Sequence, residues 1–328
     1  MTALACDIGA TRIKLGLIQQ GKVEAQSLID SRSEMGLAKR LPEIAGTLRS
    51  LCERRGVDIQ DCSGVSLSVP SLVDPVSGRI LAEYGRFRDM PLLDLRQWAK
   101  SELGLPAAIE NDARMATIGE WKHGAGRGSN NLVMLTLGTG LGTSAVMDGK
   151  ILRGKHGQAG CLGGHFTLRY GGTACGCGNT GCAEAEASTA FLGDLAKKHP
   201  DYSRSLISAE PILDYAAIFA KATEGDTCAR AIRDHSLLVW SSLAVSLIHA
   251  YDPELVILGG GIMKNSGLIL PAVREYVRKH AHTPWGNVTV VASALGDAAA
   301  LVAGEWLLQE QAQYFGSDEL ISEGNARC

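Results

Sequence analysis

The sequence predicts an α/β protein of two lobes built by internal duplication, and three observations predict it. A strand, a glycine turn, a second strand and a hairpin turn occur twice: with Gly9 set on Gly138, Gly21 falls within one residue of Gly149. Segments of helical periodicity follow each copy. Glycine supplies 39 of 328 residues, about 12% against a usual 7% or so. The chain has no collagen period and no Gly/Ser linker, so these glycines belong to ordered turns. The length itself is that of about two domains.

Residues 3–8 read as a buried strand, 9–11 as a turn, 13–19 as a second strand, and Gln20-Gly21-Lys22 as a hairpin turn into a third strand, 23–29. Leu37, Leu41, Ile44, Leu48 and Leu51 recur at helical spacing, which predicts an amphipathic helix over 35–55. Strands follow at 64–69 and 107–109, the latter running through Glu110-Asn111-Asp112 into a helix that reaches Trp121. The second copy has strands at 132–137 and 143–147, the turn Gly138-Thr139-Gly140, and the hairpin turn Asp148-Gly149. Beyond 211 the chain is mostly helical, with a long apolar helix near 227–250 and a strand at 254–258 entering Gly259-Gly260-Gly261. Asp297 is placed to cap a last helix from Ala298 to about Gln311. The expected lobes are 1–118, joined by a C-terminal helix at about 299–312, and 119–298. Residues 313–328 read as a polar tail, and a hinge is expected near 113–125.

Composition narrows the function. Hydrophobic residues make up 45% and charged residues 20%, values of a globular protein with a core, and the net charge of −3 gives no reason to expect nucleic acid as a partner. The longest uncharged run, 129–147, is too rich in Gly, Thr, Ser and Asn to span a membrane. The N-terminal residues lack a basic segment, so the expected location is cytoplasmic. Of nine cysteines, Cys175, Cys177 and Cys182 lie within eight residues, a spacing that reads as metal ligands or as buried free thiols rather than a disulfide scaffold.

Several short motifs bear on chemistry. No Gly-Lys is followed by Ser or Thr, so there is no Walker A loop, and Gly176, Gly178 and Gly181 form a dinucleotide-type pattern only inside the cysteine cluster. The turns Gly9-Ala10-Thr11 and Gly138-Thr139-Gly140 are plain β-turns or phosphate cradles, in which small residues let backbone N–H groups approach phosphate oxygens. Asp7, at the end of the first strand, is placed to hold a hydrated Mg²⁺. Asp112 reads as a helix N-cap or as a general base. Gly259-Gly260-Gly261 is at least a strand-to-helix connection that needs positive φ.

Taken in order, these motifs resemble the ROK family of sugar kinases, within the actin-like ATPase superfamily. The likeness rests on Asp7-Ile8-Gly9-Ala10-Thr11-Arg12, Glu110-Asn111-Asp112-Ala113, Leu137 to Gly142, His165, the run Cys175 to Glu184, and Gly259 to Ile262, and it covers nearly the whole chain. It implies the two-lobed actin/hexokinase-like (RNase H-like) fold with a cleft between the lobes. It implies transfer of the γ-phosphate of ATP, with Mg²⁺, to a sugar hydroxyl, with Asp112 as the base and Asn111 binding further hydroxyls. Asp7, Gly9, Ala10, Thr11, Arg12, Gly138, Thr139 and Gly140 would hold the phosphates, and Gly259, Gly260 and Gly261 would lie against the adenosine. His165 would complete a structural zinc site with Cys175, Cys177 and Cys182 and also face the sugar, which Glu184 would contact. The resemblance favours a dimer or tetramer.

The sequence departs from the family pattern where sugar is bound. Gly-Glu-x-Gly-His is usual before the metal site; here Gly160-Cys161-Leu162-Gly163-Gly164-His165 has no carboxylate. Pro70-Ser71 stands where Pro-Gly is usual, and Ala82-Glu83-Tyr84 near where an Asn commonly reaches the sugar, which makes Ser71 and Glu83 candidate sugar contacts. Losing a charged acceptor for two hydroxyls predicts a sugar preference altered from glucose. The alternative is a catalytically weak or inactive sugar sensor. A repressor of the same family is disfavoured, because Asp7 leaves no room before it for a helix-turn-helix.

Overall fold

The computed structural model describes residues 1–74, 76–82 and 86–312. Glu83 and the 313–328 tail lie outside the described residues. The chain divides into two compact units. The first comprises Met1–His123, Gly154–Gln158 and the described residues from Ala298; the second comprises Gly124–Arg153 and Ala159–Asp297.

In the first unit β1 (Thr2–Ile8), β2 (Arg12–Gln19), β3 (Lys22–Asp30), β4 (Val65–Val69) and β5 (Ala107–Asn111) form one sheet in the order β3-β2-β1-β4-β5. The first three strands are antiparallel neighbours, and β4 and β5 extend the sheet in parallel. Burial explains the order. Ala3 to Cys6 of β1 and all of β4 are buried, as strands covered on both faces must be, whereas β3 alternates toward solvent as an edge. In the second unit β6 (Leu132–Leu137), β7 (Leu141–Met147), β8 (Lys150–Ile151), β9 (Leu255–Gly259) and β10 (Thr289–Ala292) repeat the pattern in the order β10-β9-β6-β7-β8. The directions match as well, antiparallel on the hairpin side and parallel beyond β6. The two hairpins share one turn: Gln20 and Gly21 at φ 52° and 70°, Asp148 and Gly149 at 50° and 69°. Both central residues are left-handed, the twist a two-residue hairpin needs.

Helices α1 (Leu41–Arg55), α2 (Leu95–Leu103) and α3 (Asp112–His123) belong to the first unit, with α9 (Ala299–Val302) and a helical stretch over 304–312. α1 buries Ile44, Leu48, Leu51 and Cys52 at helical spacing. The helix expected from residue 35 begins only at Leu41. Gly36 at φ 86° interrupts the chain, Pro42 suits only a first turn, and Leu37 is buried in a turn whose N–H donates to Asp89 Oδ1 at 2.7 Å. The last helix is likewise broken: Asp297 sits within a short 3₁₀ turn, Gly296–Ala298, and residue 303 separates two helical pieces. The second unit carries α4 (Ala183–Ala187), α5 (Thr189–Lys197), α6 (Tyr215–Glu224), α7 (Thr227–Tyr251) and α8 (Ser266–His280). The Asp226 side chain caps α7 by accepting from Ala229 N, and Asp252, in the left-handed region, ends it. Trp240 of α7 lies fully buried against Tyr215, and its Nε1–H donates to Ala187 O at 2.9 Å. No helix among the described residues is long and apolar enough to cross a membrane.

Candidate active site

In the first unit three strand ends bring the predicted polar residues together. Asp7 is the penultimate residue of β1; in register it faces Lys14 of β2 on one side and Ser68 of β4 on the other. Lys14 Nζ donates to Asp7 Oδ2 at 3.3 Å, and Ser68 Oγ donates to Asp7 Oδ1 at 2.8 Å. These two donors orient a carboxylate at the tip of a buried strand. The turn that follows is closed by Gly9 N donating to Arg12 O at 3.0 Å, and Thr11 and Arg12 are exposed.

β5 leads directly into α3, and the junction carries Glu110, Asn111 and Asp112. Asp112 Oδ1 accepts from Asn111 Nδ2 at 3.0 Å and from Ala113 N at 2.8 Å. Asn111 Nδ2 also donates to Ser71 O, at 3.1 Å, and Asn111 Oδ1 accepts from Arg114 N. The Asn111 side chain is thus locked between α3 and the β4 end, and it holds Asp112 in turn. Burial, then the charge of Asp7, raise the Asp112 carboxyl from its ordinary 3.8 to about 7; the hydrogen bonds from Ala113 and Asn111 offset this only in part. A carboxyl of that strength is matched to proton transfer near neutral pH. The Ser71 hydroxyl is engaged, donating to Ala82 O at 2.6 Å.

Beneath Asp112 lies a pair that sequence reasoning missed. Arg114 and Glu110 are both buried; Arg114 Nη1 donates to Glu110 Oε1 at 3.1 Å, and Nη2 donates to Gly157 O at 2.7 Å. Glu110 Oε1 also accepts from Asn111 N at 2.8 Å. The acid–base spacing i, i+4 was a visible signal, but nothing local announced that both charges are buried.

In the second unit the loop Gly138-Thr139-Gly140 joins β6 to β7, closed by Gly138 N donating to Gly140 O at 3.0 Å. The start of α5 docks on it, with Thr189 N and Ala190 N donating to Gly138 O and Thr139 O. Glu184 of α4 accepts from Leu141 N at 2.9 Å through Oε2, and a Cβ on Gly140 would collide with that oxygen. Glycine at 140 is therefore the space in which the Glu184 carboxylate sits. Gly259 ends β9. Gly260, at φ 90°, packs so closely on the backbone of Leu137 that a side chain would strike its carbonyl oxygen, while Gly261 opens onto free space.

His165, Cys175, Cys177 and Cys182 converge in the same unit, their ligand atoms all within 4.8 Å of one another. Cys175 Sγ lies 3.5 Å from His165 Nδ1, and Cys177 Sγ lies 3.7 Å from Cys182 Sγ. A zinc tetrahedron, with Zn–S about 2.3 Å and Zn–N about 2.1 Å, has edges of roughly 3.8 and 3.6 Å. The donor set and these spacings fit a closed structural zinc site. His165 ends a 3₁₀ turn, Gly163–His165, that presses on β7: a Cβ on Gly164 would meet Leu141 O. Leu162 precedes this turn and is part-buried, and Cys161 is buried.

Two sheets of identical strand order, each opening with a glycine turn after its first strand, define an α/β protein with the actin/hexokinase-like fold. A model of the ROK family matches residues 3–311. A glucokinase from Halalkalibacterium halodurans is 30% identical over 314 residues, 93% of this chain and 94% of that protein. A xylose repressor from Bacillus spizizenii is 27% identical over 238 residues, 72% of this chain and 58% of the repressor. Among solved structures, a ROK family glucokinase from Streptomyces griseus in complex with glucose and AMPPNP superposes with a TM-score of 0.77 at 26% identity, covering 92% of this chain and 97% of that one. The chain belongs to the ROK family.

Proposed function

We propose that the protein is an ATP-dependent sugar kinase with Asp112 as its general base. The observation that carries this reading is the Asp112 carboxyl, fixed through Oδ1 by Asn111 and the α3 backbone and raised to about 7. The near-full-length likeness to a glucokinase supports it. A sugar hydroxyl hydrogen-bonds Asp112 and is oriented by Asn111. Its oxygen bonds to the γ-phosphorus as the bond from that phosphorus to the bridging β,γ-oxygen breaks. The hydroxyl proton passes to Asp112, and ADP leaves. Asp7 would hold a hydrated Mg²⁺, which would supply charge neutralisation on the phosphates. Arg12, the Gly9-Ala10-Thr11 turn and the Gly138-Thr139-Gly140 loop position those phosphates, and Gly259, Gly260 and Gly261 make room for adenosine. His165, Cys175, Cys177 and Cys182 hold a structural zinc ion. His165, Glu184 and Ser71, with Glu83, complete the contacts to the sugar, a cytoplasmic small-molecule substrate taken by a dimer or tetramer.

The sugar preference is proposed to be altered from glucose, because Cys161 and Leu162 offer no carboxylate before His165. A second reading, a weakly catalytic sugar sensor, is favoured by the likeness to a xylose repressor. A coupled ADP-release assay over hexoses, ketoses, amino sugars, N-acetyl sugars and glycosides separates the two. Turnover on one sugar class, lost in Asp112→Asn, supports the kinase; silence across the panel from protein that still binds ATP supports the sensor. Glucose as much the best substrate would overturn the altered preference.

A further inference from the structure

Outside the residues assigned to phosphate, sugar and zinc, the second unit holds a pocket of about 430 Å³, within the size range of small-molecule sites. Its walls are the turn before the cysteine run (Arg169 and Thr173), the end of α5 (Leu195 and Lys198) and α7 (Ile232 and His235). Behind the wall, the Glu186 carboxylate of α4 is fully buried. It accepts from Thr173 N at 2.6 Å and from Arg169 Nη1 at 3.4 Å, and His235 Nε2 lies 3.3 Å from it. The Thr173 amide and the Arg169 guanidinium satisfy Glu186, which holds Arg169 at the pocket wall. Arg169 and Lys198 are exposed. Among the described residues, the Arg169 side chain contacts Glu186 alone, and Lys198 Nζ makes a single bond, to Thr173 Oγ1 at 3.4 Å. Guanidinium and ammonium carry eight or so N–H donors between them, so most remain available. His235 Nε2 is buried without a hydrogen bond. Two fixed positive charges against one buried negative leave the pocket net cationic, and Leu195 and Ile232 give it an apolar side.

We propose that this pocket binds a small phosphomonoester, with the phosphoryl group between Arg169 and Lys198 and the organic body against Leu195 and Ile232. The same α4 that carries Glu186 into the pocket wall carries Glu184, two residues earlier, to Leu141 N at the glycine loop. The proposal is independent of the kinase reading, since binding is read without ATP and through residues outside the proposed catalytic set.

The test is calorimetric titration of the zinc-loaded full chain with glucose 6-phosphate, inorganic phosphate and glucose. It is repeated on Lys198→Glu and on Ala231→Trp, an exposed α7 position lining the pocket; thermal melts check that each variant is folded. The expected result is saturable binding of glucose 6-phosphate that weakens at least tenfold in both variants, with glucose binding unchanged by either. Equal affinity for inorganic phosphate assigns the site to free phosphate, and tighter binding of glucose 6-phosphate assigns it to an organic phosphate. No binding of either phosphate by the wild-type chain overturns the proposal. So does wild-type affinity retained by either folded variant, which would place the ligand elsewhere, including the proposed active site.

Discussion

The two units share one strand order and differ in what they place at the strand ends. In the first, β1 and the β5–α3 junction end in carboxylates, Asp7 and Asp112, each held by neighbouring donors. In the second, the matching β6 end has Thr136-Leu137-Gly138, β9, the counterpart of β4, runs into Gly259-Gly260-Gly261, and β10, the counterpart of β5, leads to Asp297. At the β1 and β6 ends the duplicated scaffold has thus been specialised, with a carboxylate on one copy and Thr136 and bare backbone on the other. The second copy adds the cluster of His165, Cys175, Cys177 and Cys182, which has no counterpart among the described residues of the first. Phosphoryl transfer asks for both kinds of surface, carboxylates for the metal and the hydroxyl and backbone amides for the phosphates.

The largest expected effect breaks the charged side of this comparison. Asp112→Asn should lower turnover by about 10²–10⁴-fold, the usual worth of a general base, with sugar affinity changed much less. In the wild type, turnover should rise with pH through about 7, as Asp112 ionises. Stability should move the other way. Folded Asp112 keeps its proton up to about pH 7, whereas the ordinary carboxyl loses it near 3.8. Between those values the folded state binds more protons than the unfolded one, so this residue's contribution to stability falls as pH rises. At pH 8, Asp112→Asn should therefore be more stable than wild type, by about 1–3 kcal/mol, read by urea denaturation. A variant that is inactive and also destabilised at pH 8 would count against a carboxyl raised by its surroundings.

Next comes the His/Cys cluster of the second unit. Cys182→Ser, or chelation of the proposed zinc ion, should cost that unit on the order of 3 kcal/mol, since metal binding to a site formed only on folding stabilises the fold. Thermal unfolding followed by hydrogen exchange should show amides of α4 and the 163–182 segment losing protection while β1 to β5 keep theirs. Uniform loss in both units would mean that the cluster does not stabilise its unit selectively.

Much of this was legible before any coordinates. The duplication followed from the spacing of Gly9, Gly21, Gly138 and Gly149, because hairpin turns with positive φ leave a glycine signature in sequence. The convergence of His165 with three cysteines was legible from residue type, since three closely spaced thiols call for a fourth ligand and His165 lies ten positions before the first of them. The start of α1 was misread because apolar periodicity continues through Leu37 while Gly36 and Pro42 break the backbone. β8 and β10, of two and four residues, are too short to carry a period. The engagements of Glu184 with Leu141 N, of Arg114 with Gly157 O and of Glu186 with Arg169 and His235 join distant parts of the sequence. No local pattern encodes such partners. The i, i+4 spacing of Glu110 and Arg114 was available and unread.

The shared hairpin gives a sharper test of how far the two copies have diverged. Gly21→Ala and Gly149→Ala replace glycine at nearly the same φ, so each should cost about 1 kcal/mol from backbone conformation alone. The surroundings differ. A Cβ at 149 meets nothing nearer than Asn130 Oδ1 at 3.4 Å, whereas one at 21 collides with the His123 ring. Gly21→Ala should therefore cost about 1–2 kcal/mol more in urea denaturation, and His123→Ala in the same chain should recover part of the difference. Equal costs would show that the His123 ring moves aside freely.

The smallest effect concerns what caps the outer amides of those hairpins. In the first copy a single carboxylate does so: Glu305, buried, accepts from Gln20 N at 3.1 Å and Gly21 N at 2.6 Å. In the second the acceptors are neutral, Asn131 Oδ1 for Asp148 N and Asn130 O for Gly149 N, both at 2.9 Å. Hydrogen bonds to a charged acceptor contribute about twice as much as neutral ones, and Glu305 also ties the hairpin to the helical stretch 304–312. Glu305→Ala should cost about 2 kcal/mol and Asn131→Ala about 1 kcal/mol by the same measurement. Glu305→Gln keeps the shape of the acceptor and removes its charge, so it should stand between wild type and Glu305→Ala. A Glu305→Gln chain as stable as wild type would assign the Glu305 effect to hydrogen bonding and packing rather than to charge.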